Sequence, residues 1–311
     1  MNSKKRKILA LFVIFVCVFF LLSIRVQAAT NIFNQDVGKP VASLNKDTIL
    51  KVVSLDVSGG DYRAADLYKV MQIGNLLKPY APDVVFLTQV VEGKIYYSNQ
   101  IKVIGDKLGL KYYTFAGNPM KESDTAYNIT HNIVDRGGVA ILSRYPLTEV
   151  RQLEFAGYYN AAGRTVKYAA AKTKINNKDV AFVCAYMLST SSQSTIQQKM
   201  IQLSNYLKSN YKNIPIIISG NFQTKNISEE DIALCTLKLL STEGFRVINK
   251  KYNYIQKPDR GANYPVKSPT QKRQHIFSTG HFSANNAFVC NGVQFQYYLK
   301  SLPIFEELKL K

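Results

Sequence analysis

Short apolar runs of strand length recur between residues 49 and 310, and they alternate with segments in which apolar residues are spaced three or four apart. Runs of this length predict buried strands, and the wider spacing predicts helices that pack on them. Strands and helices that alternate along one chain, with hairpins among the strands, favour a layered α/β sandwich. We find no internal repeat and no low-complexity tract.

The predicted elements span nearly the whole of this region. Strands are predicted over residues 49–57, 83–91, 111–116, 137–143, 166–175, 179–186, 214–219, 275–279, 294–299 and 304–310. Helices are predicted over residues 64–78, 98–109, 194–211 and 229–243, and residues 249–272 read as a loop rich in Tyr, Lys and Pro. The pair Asn176-Asn177 predicts a hairpin turn between two of the strands.

The first 29 residues have the three parts of a secretory signal peptide. Basic residues precede an apolar run over residues 8–24, and Ala28 ends a stretch with short side chains at the positions that a signal peptidase reads. Cleavage after Ala28 or Ala29 is our preferred interpretation, and an uncleaved N-terminal anchor is the alternative. Either way we expect export, a polar lead-in over residues 30–48 and one domain over residues 49–311.

The chain is strongly basic. It has 40 Lys and Arg against 21 Asp and Glu, and five of the basic residues lie in the first 29, so the remainder has 35 against 21, a net charge of +14. Such a balance favours contact with phosphates, polyanions or anionic membranes through long-range attraction. A Lys-rich composition that keeps the protein soluble is the other interpretation, and the sequence leaves both open.

Cysteine usage excludes a disulfide scaffold. Cys184, Cys235 and Cys290 follow the apolar run, and an odd number allows at most one internal disulfide in the exported part. Cys184 and Cys235 lie in apolar surroundings and are predicted to be buried thiols. No spacing of Cys with the three histidines resembles a zinc site.

The order of several short segments along the chain resembles that of a known protein family. The runs LKVVSLDVSG, APDVVFLTQVVEG, RGGVAILSRYPL, FVCAYMLSTSS, IPIIISGNFQT, KRQHIFST and LKSLPIFEELKL follow one another through the chain. In this order they resemble the endonuclease/exonuclease/phosphatase superfamily, which includes deoxyribonuclease I-like nucleases, bacterial sphingomyelinases and inositol polyphosphate phosphatases. The resemblance implies a four-layer α/β/β/α sandwich of two packed mixed sheets flanked by helices.

The same resemblance implies a set of catalytic positions, and this chain departs from it at each of them. The family's reaction uses a divalent cation on a glutamate, an aspartate that activates water, and histidines and asparagines that stabilise charge on phosphorus. The departures are Asp56 for an asparagine, Gln89 for the glutamate, Met187 for a histidine, Asn221 and Gln223 for the aspartate and asparagine of Gly-Asp-Phe-Asn, Gln274 for an aspartate, and Lys300 with Ser301 for a closing Asp-His pair.

These replacements predict that family-type catalysis is lost. Gln89 lacks the charge that draws Mg²⁺ or Mn²⁺ out of its water shell, and Asn221 has no basic lone pair with which to take a proton. We therefore expect no catalytic residue, no metal and no other cofactor. The changes remove carboxylates while keeping their shape, which relieves the repulsion that a metal-free acidic cluster would suffer.

Three hypotheses remain open at this stage. The first is an exported, inactive binding module for a nucleic acid, an anionic lipid headgroup or an acidic protein surface, with Arg164, His275, Asn221 and Lys300 as candidate ligand-binding residues. The second is an active phosphodiesterase that uses Mg²⁺ or Mn²⁺ at a relocated site, for which Asp56 is a candidate ligand. The third is a structural surface protein in which the fold is a spacer.

Overall fold

The strands assemble into two mixed sheets. In chain order they are β1 (Ile49–Asp56), β2 (Val84–Glu92), β3 (Tyr112–Pro119), β4 (Arg136–Ser143), β5 (Thr148–Tyr159), β6 (Thr165–Ile175), β7 (Lys178–Tyr186), β8 (Ile216–Asn221), β9 (Phe245–Val247), β10 (Gln274–Thr279), β11 (Phe282–Val289) and β12 (Ile304–Leu310). Sheet A has the order β11-β12-β1-β2-β4-β3, and sheet B has the order β5-β6-β7-β8-β10-β9. The pairs β1–β2 and β7–β8 are parallel, and the other pairs are antiparallel.

Helices cover the outer faces of both sheets. They are α1 (Leu67–Leu77), α2 (Gln100–Leu108) and α3 (Gln193–Asn210), with short 3-10 helices at Lys78–Tyr80 and Val293–Tyr297. Helices α1 and α2 pack on sheet A, and α3 packs on sheet B. The protein is thus a sandwich of two packed mixed sheets with flanking helices, as predicted.

The computed structural model describes residues 49–57, 67–93, 99–120, 135–159, 165–187, 193–222, 245–247, 273–290, 293–299 and 301–311. All of them belong to one unit, residues 44–311. The predicted signal peptide, the lead-in, the helix over residues 229–243 and the loop over residues 249–272 lie outside the described residues. Among the helices that are described, none is both long and apolar enough to span a membrane.

Side chains from both sheets fill the layer between them. Phe86 of β2 meets Phe182 of β7 edge-to-face, with ring centroids 6.1 Å apart. β1 lies inside sheet A and is covered on both faces, so its residues from Val52 to Asp56 are all buried. A strand covered on both faces is apolar along its length rather than at alternate positions. This explains why continuous apolar runs in the sequence predict β1 and β2.

The predicted hairpin turn is confirmed. Asn176 and Asn177 have φ angles of +52° and +61°, and Ile175 pairs with Lys178 across the turn. Two consecutive residues in the left-handed region match the twist of the flanking strands, and asparagine tolerates that region better than most residues.

The predicted strand over residues 294–299 is wrong. Apolar and polar residues alternate there, but the chain forms the 3-10 helix Val293–Tyr297. The backbone N–H of Leu299 donates to the carbonyl of Phe295 at 2.9 Å, and both side chains are buried while Tyr297 is 71% exposed. Burial of Phe295 and Leu299, which are four residues apart, therefore outweighed the alternating pattern that predicted a strand.

Sequence patterns did not predict β5, β9 and β11, three of the four edge strands. An edge strand pairs with one neighbour, so it needs fewer apolar side chains than a central strand. In β11, Ala284, Asn285 and Asn286 are exposed and a bulge interrupts the pairing. In β5, most side chains up to Gly157 are exposed. Neither β5 nor β11 carries the apolar pattern on which the prediction relied.

The two cysteines that the structure describes are buried. Cys184 is buried as predicted, Cys290 is buried as well, and Cys235 lies outside the described residues. Burial raises the pKa of the Cys290 thiol to about 12 and raises that of Cys184 further, because the charged thiolate loses its hydration. Both cysteines therefore serve as small apolar core residues.

Candidate functional site

Polar residues from both sheets meet at one end of the sandwich, which we call the cleft end. Asp56 is the last residue of β1 and Asn221 is the last of β8, while Gln274 is the first of β10. Asn221 pairs with Gln274 across β8 and β10, and with Tyr186 across β7 and β8. The fold therefore brings together Asp56, Asn221 and Gln274, three of the positions that the sequence analysis singled out.

A hydrogen bond between Asp56 and Asn221 joins the two sheets. The Nδ2 atom of Asn221 donates to Oδ2 of Asp56 at 2.5 Å. The residues are 3% and 1% exposed, so this contact lies in a low-dielectric interior. A hydrogen bond to a buried carboxylate stabilises it more than a neutral pair would. One carboxylate oxygen is thus held by an amide of the other sheet.

Gly220 shapes the strand immediately before Asn221. Its φ angle is +146°, and a Cβ atom placed there would lie 1.8 Å from the carbonyl oxygen of Ala185 on β7. No side chain fits at that distance. Beyond the glycine, the backbone N–H of Met187 donates to the carbonyl of Asn221 at 2.8 Å. The close approach of β7 and β8 therefore fixes the backbone that carries Asn221.

Gln89 reaches the other sheet from a bulge in β2. The pairing of β2 with β4 shifts between Thr88 and Val90, and Gln89 has a φ angle of +52°. The extra residue turns this side chain towards sheet B, where its Nε2 donates to the hydroxyl of Tyr186. This is a second amide-mediated link between the sheets.

Tyr186 is a residue of the cleft end that sequence reasoning missed. Val180, Phe182 and Cys184 of β7 face the layer between the sheets, and Tyr186 continues that alternation. The pattern was visible in the sequence and could have identified the residue. The family resemblance implies a functional residue at the next position, Met187, and none at Tyr186.

Gln274 is buried, and it has no hydrogen-bond partner among the described residues. It is 0% exposed, and neither its Nε2 nor its Oε1 atom is bonded to that part of the chain. Thr88, the register partner of Asp56, likewise has a buried hydroxyl without a partner. Each such group costs on the order of 1–3 kcal/mol of stability. Packing alone therefore does not explain why these two buried positions at the cleft end have polar side chains.

Met187 and His275 lie on the other face of sheet B, towards α3. Met187 is fully buried in the apolar cluster that α3 covers. The ring of His275 stacks on Phe277, with centroids 5.5 Å apart, and meets Phe222 edge-to-face at 6.0 Å. This placement gives His275 a packing role, so the proposal below does not use it as a ligand-binding residue.

The remaining predicted positions are less informative. Ser301 is 3% exposed and lies shortly before β12. Gln223, Lys300 and Arg164 lie outside the described residues, so the last two stay predictions as ligand-binding residues.

The donor set at the cleft end does not fit a divalent cation. Such a cation prefers several anionic oxygen ligands, whereas the described residues here supply one carboxylate, Asp56, and the amides of Gln89, Asn221 and Gln274. In the part of the chain that the structure describes, no three His, Cys, Asp or Glu side chains are grouped in a way that could hold a metal. We therefore derive no reaction step through a metal.

Comparisons with known proteins agree with this architecture. The model of the Endonuclease/Exonuclease/phosphatase family matches residues 53–287. A search of curated protein sequences found no match.

Three similar solved structures are informative. An endonuclease/exonuclease/phosphatase from Beutenbergia cavernae has a TM-score of 0.63 and 14% identity, over 84% of this chain and 72% of that one. A mannosyl-6-phosphatase from Bacteroides thetaiotaomicron has a TM-score of 0.58 and 15% identity, over 83% and 99%. A humanized TDP2 from D. rerio has a TM-score of 0.58 and 12% identity, over 84% and 98%. At such identities the likeness concerns the fold alone.

Proposed function

This chain belongs to the endonuclease/exonuclease/phosphatase family, and we propose that it is a member that binds an anionic, phosphate-bearing ligand without hydrolysing it. The observation that carries the proposal is the hydrogen bond from Asn221 to Asp56. At the position where the family resemblance implies a base that activates water, an amide N–H donates a hydrogen bond to a carboxylate. An amide in that role can neither accept a proton from water nor supply charge to a cation.

The neighbouring positions support the same conclusion. Gln89 replaces the expected metal-binding glutamate, and its Nε2 is engaged by the hydroxyl of Tyr186. Loss of one catalytic group commonly costs about 10²–10⁴ in rate, and the members of such a set act as a unit. A site with amides at both positions is therefore proposed to lack family-type turnover.

The proposal that the protein binds an anionic ligand rests on its positive net charge. A net charge of +14 beyond residue 29 favours nucleic acids, anionic lipid headgroups or acidic protein surfaces as partners. Arg164 and Lys300 remain our candidate ligand contacts. We also propose that residues 1–29 direct export, which would place this surface outside the cytoplasm. Sequencing the N-terminus of the exported protein tests that point, and an intact residue 1 on a membrane-bound form would favour the anchor.

The test of inactivity is calorimetric titration of the full chain with Mn²⁺ and Mg²⁺. A Gln89→Glu/Asn221→Asp variant, checked for folding by circular dichroism, serves as the matched control because it restores two carboxylates. We expect one metal to bind per molecule of the variant and none to bind the natural protein.

The alternative function predicts the opposite result. Stoichiometric Mn²⁺ binding by the natural protein, with metal-dependent cleavage of nucleic acid or sphingomyelin that Asp56→Ala abolishes, would establish an active phosphodiesterase. Binding of a polyanion is tested separately at low and high salt, because electrostatic binding weakens steeply as salt rises. Binding that does not change with salt would contradict the electrostatic part of the proposal.

A further inference from the structure

A cavity of about 840 Å³ lies at the end of sheet B opposite to the cleft end. Its wall includes Ile216, the first residue of β8, and Thr279, the last residue of β10, whereas Asn221 and Gln274 lie at the other ends of the same strands. Five residue steps of about 3.3 Å separate Ile216 from Asn221, or about 16 Å along the strand. We call this cavity the basal pocket.

The basal pocket is lined by positive charge. Its wall includes Lys208 from the last turn of α3, Lys212 from the turn that follows, and His281, and no Asp or Glu is among its lining residues. At its rim, Lys311 Nζ donates to the carbonyl of Gly280 at 3.1 Å, and the main-chain oxygen of Lys311 accepts from Lys178 Nζ at 2.6 Å. The negative end of the α3 dipole points here, and Lys208 offsets it.

Among the described residues, two acidic side chains of sheet B are engaged by lysines that do not line the pocket. Glu149 pairs with Lys172 at 2.8 Å, and Asp179 pairs with Lys174 at 2.7 Å. Burial raises the pKa of Tyr211, so its hydroxyl is neutral and adds no negative charge to the pocket wall. The local field in the basal pocket therefore favours an anion.

Hydrogen bonds orient His281 in the wall. The backbone N–H of Ile216 donates to Oγ1 of Thr279 at 3.1 Å, and that hydroxyl lies 3.0 Å from Nδ1 of His281. Because the hydroxyl oxygen already accepts one hydrogen bond, its own hydrogen can go to Nδ1. In that arrangement the imidazole carries its proton on Nε2 and has a donor left for a ligand.

The rest of the wall is apolar. Leu207 and Ile216 are buried, and Ile214 and the ring of Tyr211 complete the surface. The volume lies within the range of typical small-molecule sites, which combine apolar walls with a few converging polar groups. A ligand that suits this pocket has an anionic head and an apolar body.

We propose that the basal pocket binds a small molecule that carries a phosphate group on an apolar or aromatic body. A phosphate ester presents three terminal oxygens and can accept from Lys208, Lys212 and His281 at once, whereas a carboxylate presents two. The site is separate from the cleft end. This proposal goes beyond the proposed function. It does not depend on whether the cleft end is catalytic, and the metal titration described above does not test it.

Histidine NMR tests the proposal directly, because the chain has three histidines. The full chain is labelled in its imidazole rings, and the signal of His281 is identified by its absence in His281→Gln. Phenyl phosphate, inorganic phosphate and benzoate are added at constant pH. We expect a saturable shift of His281 with phenyl phosphate, weaker binding of inorganic phosphate and little effect of benzoate, while buried His275 stays unchanged.

Matched variants tie the shift to the pocket. Lys208→Gln/Lys212→Gln should weaken binding of phenyl phosphate at least about tenfold, because hydrogen bonds to two charged donors are lost. Lys69→Gln/Lys111→Gln removes the same charge from the sheet A side of the molecule and should leave binding unchanged. The proposal is overturned if no saturable shift occurs up to about 10 mM ligand. It is also overturned if benzoate binds equally well or if both double variants behave alike.

Vesicles distinguish two sources of the phosphate group. Phosphatidylcholine vesicles with and without phosphatidic acid are added to the labelled protein. Loss of the His281 signal on the phosphatidic acid vesicles, reversed in Lys208→Gln/Lys212→Gln, assigns the site to a lipid headgroup. Binding of phenyl phosphate with no response to either vesicle assigns it to a soluble phosphate ester.

Discussion

The two ends of sheet B use polar residues in opposite ways. At the cleft end, Asp56 and Asn221 are buried and bonded to each other across the sheets. At the basal pocket, Lys208, Lys212 and His281 are exposed around an open cavity. Polar groups that satisfy one another stabilise the fold, and exposed cationic groups around an opening attract an anionic ligand. The comparison therefore contrasts structural constraint at the cleft end with the ligand binding that we propose for the basal pocket.

The largest effect on stability is expected from Gly220→Ala at the cleft end. The added Cβ would overlap the carbonyl oxygen of Ala185 in a region of φ that alanine avoids, so the free energy of unfolding should fall by about 4 kcal/mol or more. Urea unfolding followed by circular dichroism measures it.

The matched control for this prediction is Gly109→Ala. Gly109 also has a positive φ angle, +68°, but a Cβ atom added there, at the end of α2, would meet nothing within 4 Å, so this variant should lose about 1 kcal/mol. Equal losses at the two glycines would show that the close approach of β7 and β8 does not constrain the cleft end.

The second prediction concerns Asn221→Asp, which places two carboxylates in contact at the cleft end. Repulsion raises the pKa of the pair in the folded state above its unfolded value, so the variant should be most stable at low pH and lose stability as pH rises through the folded pKa. At pH 8 we expect a loss of about 3 kcal/mol in urea unfolding.

Asn221→Ala is the comparison for that variant. It removes the donor without adding a charge, so the difference between the two variants should shrink at low pH. A difference that does not depend on pH would contradict the contact between Asp56 and Asn221.

The third prediction has the opposite sign. Gln274→Met replaces a buried amide, which has no hydrogen-bond partner in the described part of the chain, with an apolar side chain of similar length. The unfolding free energy should rise by about 1 kcal/mol, because the desolvation cost of the amide disappears. Chemical denaturation at neutral pH measures the change. A clear loss of stability would show that the Gln274 amide makes a contact on which the fold depends.

The smallest effect on stability is expected at the basal pocket. Lys208→Gln/Lys212→Gln alters two exposed side chains, so the unfolding free energy should change by less than about 0.5 kcal/mol, even though ligand binding is expected to fall. The same denaturation series measures it. A loss comparable to that of Asn221→Ala would remove the contrast between the two ends.

The central strands could be predicted from the sequence, whereas of the four edge strands only β3 was predicted and β5, β9 and β11 were not. β1 and β2 are buried on both faces and therefore appear as continuous apolar runs. β5 and β11 pair on one side, and most of their side chains are exposed, so their sequences carry little strand signal. Residues 294–299 show the reverse problem, because they alternate like a strand but form a 3-10 helix.

The site was predictable as a set of positions but not as a set of contacts. The order of motifs identified Asp56, Asn221 and Gln274, and the fold brings them to one end. Which partners they bond was not predictable, because pairing across two sheets depends on register and on the bulge at Gln89. The basal pocket had no sequence signal, since its wall comes from separate parts of the chain.

The position of β12 between β1 and β11 has a consequence for how the chain folds. β1 has β2 as its nearby partner, but its other edge is covered by Ile304–Leu310, from the far end of the described sequence. Until that segment arrives, β1 presents an unpaired edge that can recruit other chains. Contacts between such distant segments are slow to form, because a long loop must close first. Sheet A is therefore expected to be completed late, and a chaperone that shields the edge of β1 would increase the yield of folded protein.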